Sequence, residues 1–191
     1  MPTQPVYMSG WMIRDLNETS ARDDAFAALE LAKKKLDGYN YEGIALIATQ
    51  LVAGTNYCIF CRKTDAKNAG YYLVYVYQDL SKNADIISEQ GILSSKNRTG
   101  FVINKDSVYI SQDDQMYAMV KDAELSYGAN YDFTPFAYLG YYDDGTENFT
   151  VLCRISGDTP DTALFYAVVD VMKNEDGSAS IVDLRKLPVG E

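Results

Sequence analysis

The sequence contains 191 residues, 47% hydrophobic and 23% charged, and its 17 basic and 27 acidic side chains give a formal net charge of −10. This composition is typical of a globular chain with room for one large domain or two small ones. The acidic balance argues against nucleic acid and anionic membranes as partners, because cations for their phosphates are few, and no stretch approaches the roughly 20 apolar residues needed for membrane insertion.

Histidine is absent from the sequence. A Ser–His or Cys–His catalytic pair therefore cannot form, and the commonest zinc ligand is missing. Neither a phosphate-binding loop nor a Gly-x-Gly-x-x-Gly motif occurs. The sequence thus favours a binding or inhibitory protein over an enzyme, and it predicts neither a cofactor nor a metal site.

The three cysteines are Cys58, Cys61 and Cys153, a number that does not support a disulfide framework. Cys58 and Cys61 lie three residues apart in a predicted strand, where side chains at that spacing point to opposite faces. We therefore expect core thiols rather than a redox or metal pair. Such thiols fit a reducing compartment and also a secreted bacterial protein. No signal peptide is recognisable, and a secreted or cell-surface location is favoured over a cytoplasmic one.

Two segments of the chain repeat each other. The pairs that match at a constant interval of 90 residues are 9–13 with 99–103, Asp23-Asp24 with Asp113-Asp114, Gly38 with Gly128, and Asn40-Tyr41 with Asn130-Tyr131. Beyond Tyr131 the interval becomes 92, so that Cys61 matches Cys153. A constant offset over so many positions indicates an internal duplication. We predict two units, residues 1–93 and 98–191, joined by a polar linker at 94–97.

The first unit begins with a short apolar segment after Gly10, which predicts an opening strand. A helix follows, with Ser20 as its N-cap and Asp23 in its first turn. The apolar face of this helix contains, at helical spacing, Phe26, Leu29, Ala32 and Leu36. Three segments rich in β-branched and aromatic residues are predicted to be strands, namely 44–50, 56–63 and 71–78.

The second unit repeats this order. Ser111 and Asp114 open its predicted helix, and the apolar face contains Met116, Met119 and Ala123. Its strands are predicted at 136–141, 149–155 and 165–172. The order β-α-β-β-β in each unit places one helix on one face of an antiparallel sheet. The predicted fold class is therefore α+β.

The first hairpin of the first unit carries the most specific motif, Gln50-Leu51-Val52-Ala53-Gly54-Thr55-Asn56-Tyr57. It resembles the Gln-x-Val-x-Gly hairpin of cystatins, and most closely the Gln-Val-Val-Ala-Gly-Thr-Asn-Tyr form of the stefins. The resemblance covers the first unit in order, from a glycine near the start through one long helix and a strand to this hairpin. It implies two tandem cystatin-like units, each a helix packed in a curved antiparallel sheet, in a duplicated bacterial protein.

In cystatins this hairpin, a segment around an early glycine and a second hairpin form a wedge. The wedge plugs the cleft of papain-like cysteine peptidases without offering a cleavable bond. The resemblance implies peptidase contacts at Gly10, Gln50, Leu51, Val52, Ala53, Gly54 and Leu80. Gly54 also permits a tight turn that a β-carbon would obstruct. Trp11 follows Gly10, and Phe101 repeats that aromatic residue in the second unit. This recurrence favours a role as a core anchor for Trp11 and a structural role for Gly10.

Two features depart from the family pattern. Leu80 stands among polar residues, where cystatins place Pro-Trp or Leu-Pro. The hairpin of the second unit reads Tyr141-Tyr142-Asp143-Asp144-Gly145-Thr146-Glu147, and its three carboxylates are costly to desolvate in an apolar cleft. The second unit is therefore not expected to inhibit a peptidase. Calcium binding by this acidic segment is the alternative, but its spacing is not that of an EF-hand and favours a solvated turn.

The segment 71–77 is apolar on both of its faces. One face carries Tyr71, Leu73, Tyr75 and Tyr77. Only one face of the strand can cover the helix. We expect the tyrosine face to pack against the second unit or against another copy of the protein.

The leading functional hypothesis is non-covalent inhibition of papain-like cysteine peptidases through the first-unit hairpin. The alternative is a non-inhibitory protein-binding or structural module, secreted or at the surface of a bacterium, that keeps the hairpin for folding. The motif favours the first hypothesis. The polar second hairpin and the loss of the motif in the second unit favour the alternative.

Overall fold

The computed structural model of the chain describes residues 7–8, 10–37 and 40–191; Ser9 and Gly38 of the repeat lie outside them. The chain divides into two compact units, the first made of Met1–Ser94 with Pro188–Glu191 and the second of Ser95–Leu187. Residues 188–191, which the sequence assigned to the second unit, therefore group with the first. Within the described residues each unit has one α-helix and one antiparallel sheet, so the fold class is α+β.

The first unit has its helix between two short opening strands and a meander. Its elements are β1 (Tyr7–Met8), β2 (Trp11–Ile13), α1 (Thr19–Lys33), β3 (Glu42–Val52), β4 (Gly54–Lys63), β5 (Gly70–Gln78) and β6 (Ala84–Leu93). The sheet order is β1-β2-β3-β4-β5-β6. The sequence predicted three strands after the helix, whereas the structure has four, and the strand that was missed is β6. In β6 only Ala84 and Leu93 are buried, which leaves no apolar alternation to reveal a strand.

Helix α1 packs on one face of this sheet through small side chains. Its buried residues are Ala25, Ala28, Leu29 and Ala32. They pack in one core with residues of β4 and β5 such as Ile59 and Val74. The helix approaches the sheet so closely that a β-carbon on Gly43 would lie 3.2 Å from the Phe26 ring. The predicted contribution of Leu29 and Ala32 is confirmed, whereas Leu36 follows the helix and is exposed.

The beginning of α1 differs from the prediction. The helix starts at Thr19 with Glu18 as N-cap and without a side-chain cap, so Ser20 lies inside the first turn. The Glu18 carboxylate accepts hydrogen bonds from Arg14 (2.7 Å) and from the Asp15 amide (2.8 Å). The Glu18 side chain is thus bonded to the loop before the helix and not to the helical amides, and the predicted serine cap is wrong.

The second unit repeats the arrangement. Its elements are β7 (Phe101–Ile103), α2 (Gln115–Tyr127), β8 (Tyr131–Tyr142), β9 (Asn148–Gly157), β10 (Phe165–Lys173) and β11 (Ala179–Lys186), with a 3-10 turn at Pro160–Thr162. The order β7-β8-β9-β10-β11 matches β2-β3-β4-β5-β6 strand for strand. Asp114 caps α2 by accepting a hydrogen bond from the Met116 amide (2.9 Å), so the predicted cap Ser111 lies outside the helix. Ala123 is buried in the core, as predicted.

Strand β5 is buried on both faces. Val74 and Val76 belong to the core beneath α1. The buried residues of the other face are Tyr71, Leu73 and Tyr75. Tyr71 stacks on Phe60 with 5.6 Å between ring centroids, and Tyr77 is half-buried. The predicted tyrosine face is therefore not isolated in solvent, while its packing against the second unit or another copy stays a prediction.

Candidate functional site

Three turns of the first unit lie at the same end of its sheet. Gly10 lies between β1 and β2, Ala53 between β3 and β4, and the segment 79–83 between β5 and β6. Alternate connections of an antiparallel meander fall on one side, and the pairing of Met12 with Thr49 brings Gly10 beside the end of β3. We call this end of the sheet, formed by Gly10, 50–54 and 79–83, the hairpin edge. It contains every site residue that the sequence proposed.

The tip of the first hairpin is exposed and apolar. Leu51 is 88% exposed and Val52 44%, and Ala53 is exposed as well. Val52 pairs with Gly54 across the turn, so Ala53 is the only residue between the two strands. A turn of this length holds the three apolar residues at the end of the sheet rather than in its core.

Two hydrogen bonds hold the tip in place. The Asn56 side-chain amide donates to Oε1 of Gln50 (2.9 Å) across the hairpin. The Tyr77 hydroxyl, from the neighbouring strand β5, donates to the carbonyl oxygen of Ala53 (2.7 Å). Because both strands of the hairpin and β5 share in these contacts, the tip is fixed before any partner arrives.

Gly54 has a different role from its exposed neighbours. It is buried and has a φ of +126°, a conformation that L side chains rarely adopt. A β-carbon on Gly54 would lie 2.2 Å from the carbonyl oxygen of Gln78 and 3.1 Å from Cα of Asp79. Gly54 therefore faces the start of the second hairpin, and it shapes the edge rather than presenting a surface of its own.

The second hairpin is ordered by its own side chains. The Asp79 carboxylate accepts hydrogen bonds from the Asn83 amide (2.8 Å) and from the Asn83 side chain (2.9 Å). These bonds favour the charged form and hold the pKa of Asp79 below its ordinary value. Leu80, in the middle of this turn, is 82% exposed. The polar residues that surround Leu80 in the sequence thus form the turn that presents it.

The sequence proposed a structural role for Gly10 and a role as a core anchor for Trp11, the residue after it. Gly10 is exposed with a φ of +80°, and its ideal β-carbon would lie at an ordinary 3.5 Å from Nε2 of Gln50. The backbone conformation, rather than a lack of space, is what calls for glycine there. Trp11 is only 7% exposed and packs edge-on against Tyr75, as expected of an anchor.

The residues that support the edge were not predicted to have that role. Asn56 lies within the recognised motif, so the motif itself was a signal for its bond to Gln50. Asp79 and Asn83 flank Leu80, and Asp and Asn are residue types that commonly close turns through their side chains. Tyr77 carried no such signal, because its hydrogen bond to Ala53 joins residues from different hairpins.

The matching end of the second unit is polar. The Asp144 carboxylate accepts hydrogen bonds from the Thr146 amide (3.0 Å), the Thr146 hydroxyl (2.6 Å) and the Asn148 side chain (3.0 Å). The bonds from Thr146 hold the pKa of Asp144 below its ordinary value. Asp143 and Glu147 are exposed on the same turn. The solvated turn predicted from the sequence is confirmed, and this end lacks an apolar tip.

The cysteines are buried free thiols, as expected. Burial raises the pKa of Cys58 to about 12 and that of Cys61 well above its ordinary value. A thiol is nucleophilic only as the thiolate, so both are unreactive at neutral pH. Within 7–8, 10–37 and 40–191 no group of three or more Cys, Asp or Glu residues could hold a metal ion. Over the same residues neither α-helix is long and apolar enough to cross a membrane.

By fold, this is an α+β protein of two similar units, and among the described residues only the first unit has an apolar hairpin edge. The chain matches no protein-family model and no curated protein. What the protein does must therefore be argued from the hairpin edge itself.

Proposed function

We propose that both units are cystatin-like and that the hairpin edge of the first is a non-covalent inhibitory surface for papain-like cysteine peptidases. The observation that carries this proposal is the preformed, exposed apolar tip at Leu51 and Val52, with Leu80 exposed on the neighbouring hairpin. The motif resemblance names the class of target. The shape and chemistry of the edge supply the physical argument.

A small apolar tip suits a peptidase cleft. Leu51, Val52 and Ala53 carry no charge that would have to be desolvated. The bonds from Asn56 and Tyr77 restrict the tip in the free protein, so little conformational entropy is lost when it docks. A rigid hairpin can fill the cleft without placing an extended peptide bond over the catalytic cysteine, which leaves the inhibitor uncleaved.

The topology of the two units supports the cystatin-like part of the proposal. Apart from β1, which has no counterpart in the described part of the second unit, each has an opening strand, a helix and a four-stranded meander in the same sheet order. The helix lies on one face of the sheet in both. The second unit keeps this arrangement without the apolar tip, and so it is not part of the inhibitory surface.

The test is titration of papain and of a cathepsin-like cysteine peptidase with the purified protein. We expect inhibition at micromolar concentration or below, with the chain intact by mass spectrometry afterwards. Leu51→Glu and Leu80→Glu are each expected to weaken inhibition about tenfold or more, because a carboxylate would have to be desolvated in the cleft. Leu125→Glu is the matched control, since Leu125 is 79% exposed on α2 of the other unit. Full activity of both peptidases with excess protein would contradict the proposal.

A second candidate is a binding module without inhibitory activity. The observation that favours it is the second hairpin, where Leu80 is the single apolar residue between Asp79 and Asn83. An edge of this kind gives a smaller apolar contact than the wedge of cystatins. Unchanged peptidase activity, together with binding of another protein that is lost in both Leu51→Glu and Leu80→Glu, would select this function.

A further inference from the structure

Residues 188–191 pack against the start of the first unit's sheet. They follow β11 of the second unit in the chain but group with the first unit. The Gly190 amide donates a hydrogen bond to the Tyr75 hydroxyl (3.0 Å), which joins residues 115 positions apart. Val189 is buried. This segment is thus an integrated part of the first unit.

Gly190 lies directly on the indole ring of Trp11. A β-carbon on Gly190 would be 2.6 Å from Cδ1 and 2.8 Å from Nε1 of that ring. Gly190 also has a φ of +74°, so glycine is required both by conformation and by the closeness of the ring. Trp11 is therefore covered by Tyr75 on one part of its ring and by the backbone of 188–191 on another.

The packing of 188–191 on Trp11 is needed because strand β2, to which Trp11 belongs, is short. Strand β2 has three residues. It pairs with β3 through Met12 with Thr49 and Ile13 with Ala48, and on its other side with the two-residue strand β1. So few ladder contacts hold a strand weakly, and side-chain packing has to contribute the rest. Since Gly10 directly precedes Trp11, the position of the tryptophan also sets the position of the first turn of the hairpin edge.

The second unit shows how the matching strand is held without this segment. Phe101, the counterpart of Trp11, packs edge-on against Tyr142 of β8 at 5.5 Å. At the interval of 92 residues, Tyr142 corresponds to Gln50 of the motif. Gln50 is bonded to Asn56 and offers no aromatic ring. In the first unit, Tyr75 of β5 and residues 188–191 together supply the cover that Tyr142 supplies in the second.

We propose that residues 188–191, which we call the strap, hold Trp11 and the Gly10 turn in place and thereby set the affinity of the hairpin edge for its partner. The effect on affinity rests on the proposed function, whereas the hold on Trp11 does not. A change that loosens the strap lets β2 separate from β3, and the edge then loses one of its three turns.

The test uses the fluorescence of Trp11, which is the only tryptophan in the sequence. Gly190→Ala and deletion of 188–191 are each expected to shift its emission to longer wavelength and to speed amide exchange in β2. Gly177→Ala is the matched control, because Gly177 has a φ of +85° but no atom within 4 Å of its ideal β-carbon. Tyr75→Phe, which keeps the ring beside Trp11 but removes the acceptor of the Gly190 amide, is expected to give a smaller shift in the same direction.

Papain is the probe for the effect on the edge. We expect the deletion to weaken papain inhibition about tenfold, and Gly177→Ala to leave it unchanged. Emission that stays the same in Gly190→Ala and in the deletion would overturn the strap, whatever the papain result. A shifted emission with unchanged papain inhibition would overturn its control of the edge. If the unmodified protein does not inhibit papain, the proposed function fails, and emission with amide exchange still decides whether the strap holds Trp11.

Discussion

Gly54 and Gln78 are so close that a β-carbon on Gly54 would lie 2.2 Å from the Gln78 carbonyl oxygen. The two residues belong to different hairpins, and Gln78 is the last residue of β5 before the second turn. The glycine of the motif is therefore the point where the two hairpins of the edge meet. Its role is to let two backbones approach, which a side chain of any size would prevent.

Gly54→Ala is expected to destabilise the first unit by about 1–3 kcal/mol, the usual cost of a strained backbone conformation, with a further loss from the clash with Gln78. The measurement is the free energy of unfolding from denaturant titration. Gly145→Ala is the matched control, because Gly145 has a φ of +82° in the hairpin of the second unit with no atom near its ideal β-carbon. Equal losses in the two variants would show that the contact with Gln78 contributes nothing.

Tyr77→Phe is expected to loosen the hairpin tip with little effect on the fold. The variant removes the hydroxyl that donates to the Ala53 carbonyl, a hydrogen bond worth about 0.5–1.5 kcal/mol. Hydrogen–deuterium exchange around 51–55 should become faster, and dissociation of a bound papain should speed up several-fold. Tyr141→Phe, at the half-exposed tyrosine on the matching hairpin of the second unit, should change neither. An unchanged exchange rate at the tip in Tyr77→Phe would show that the hydroxyl does not order it.

Local sequence patterns were enough to predict those parts of the fold that depend on residues near one another in the chain. The repeat predicted two units, and the apolar spacing that includes Leu29 and Ala123 predicted which helix faces are buried. The helix starts were less predictable. Ser20, Ser111 and Asp114 are all good caps by residue type, so residue type alone does not reveal that Glu18 and Asp114 hold the two cap positions.

The contacts made by Tyr77 and by Gly190 could not be read from the sequence because they join distant residues. The exposed tip at Leu51 followed from a motif of eight adjacent residues. The bond from Tyr77 to Ala53 spans 24 positions, and that from Gly190 to Tyr75 spans 115. No periodicity or motif covers such distances. For the same reason the sequence placed 188–191 in the second unit, although these residues pack on the first.

The second hairpin is expected to loosen in acid. Because hydrogen bonds from Asn83 hold the pKa of Asp79 below its ordinary value of 3.8, its ionised carboxylate stabilises the turn at pH above 3.8. This contribution is lost as the pH falls through the lowered pKa. An NMR titration of the Asn83 amide should therefore show a midpoint below 3.8. In Asn83→Ala, which removes the side-chain donor but keeps the backbone amide, the midpoint should move up towards the ordinary value. A midpoint at or above the ordinary value in the unmodified protein would contradict the hydrogen-bonded turn.

The three thiols are expected to be inert in the folded protein and reactive after unfolding. Burial raises the pKa of Cys58 to about 12 and also raises the pKa of Cys153, so almost no thiolate is present at pH values near 8. A disulfide reagent such as DTNB should react negligibly with the folded protein and release three equivalents in guanidinium chloride. Leu125→Cys is the positive control, since the side chain it replaces is 79% exposed. A thiol of the unmodified protein that reacts as fast as Cys introduced at position 125 would mean that one core opens readily, and the prediction of packed cysteines would be wrong.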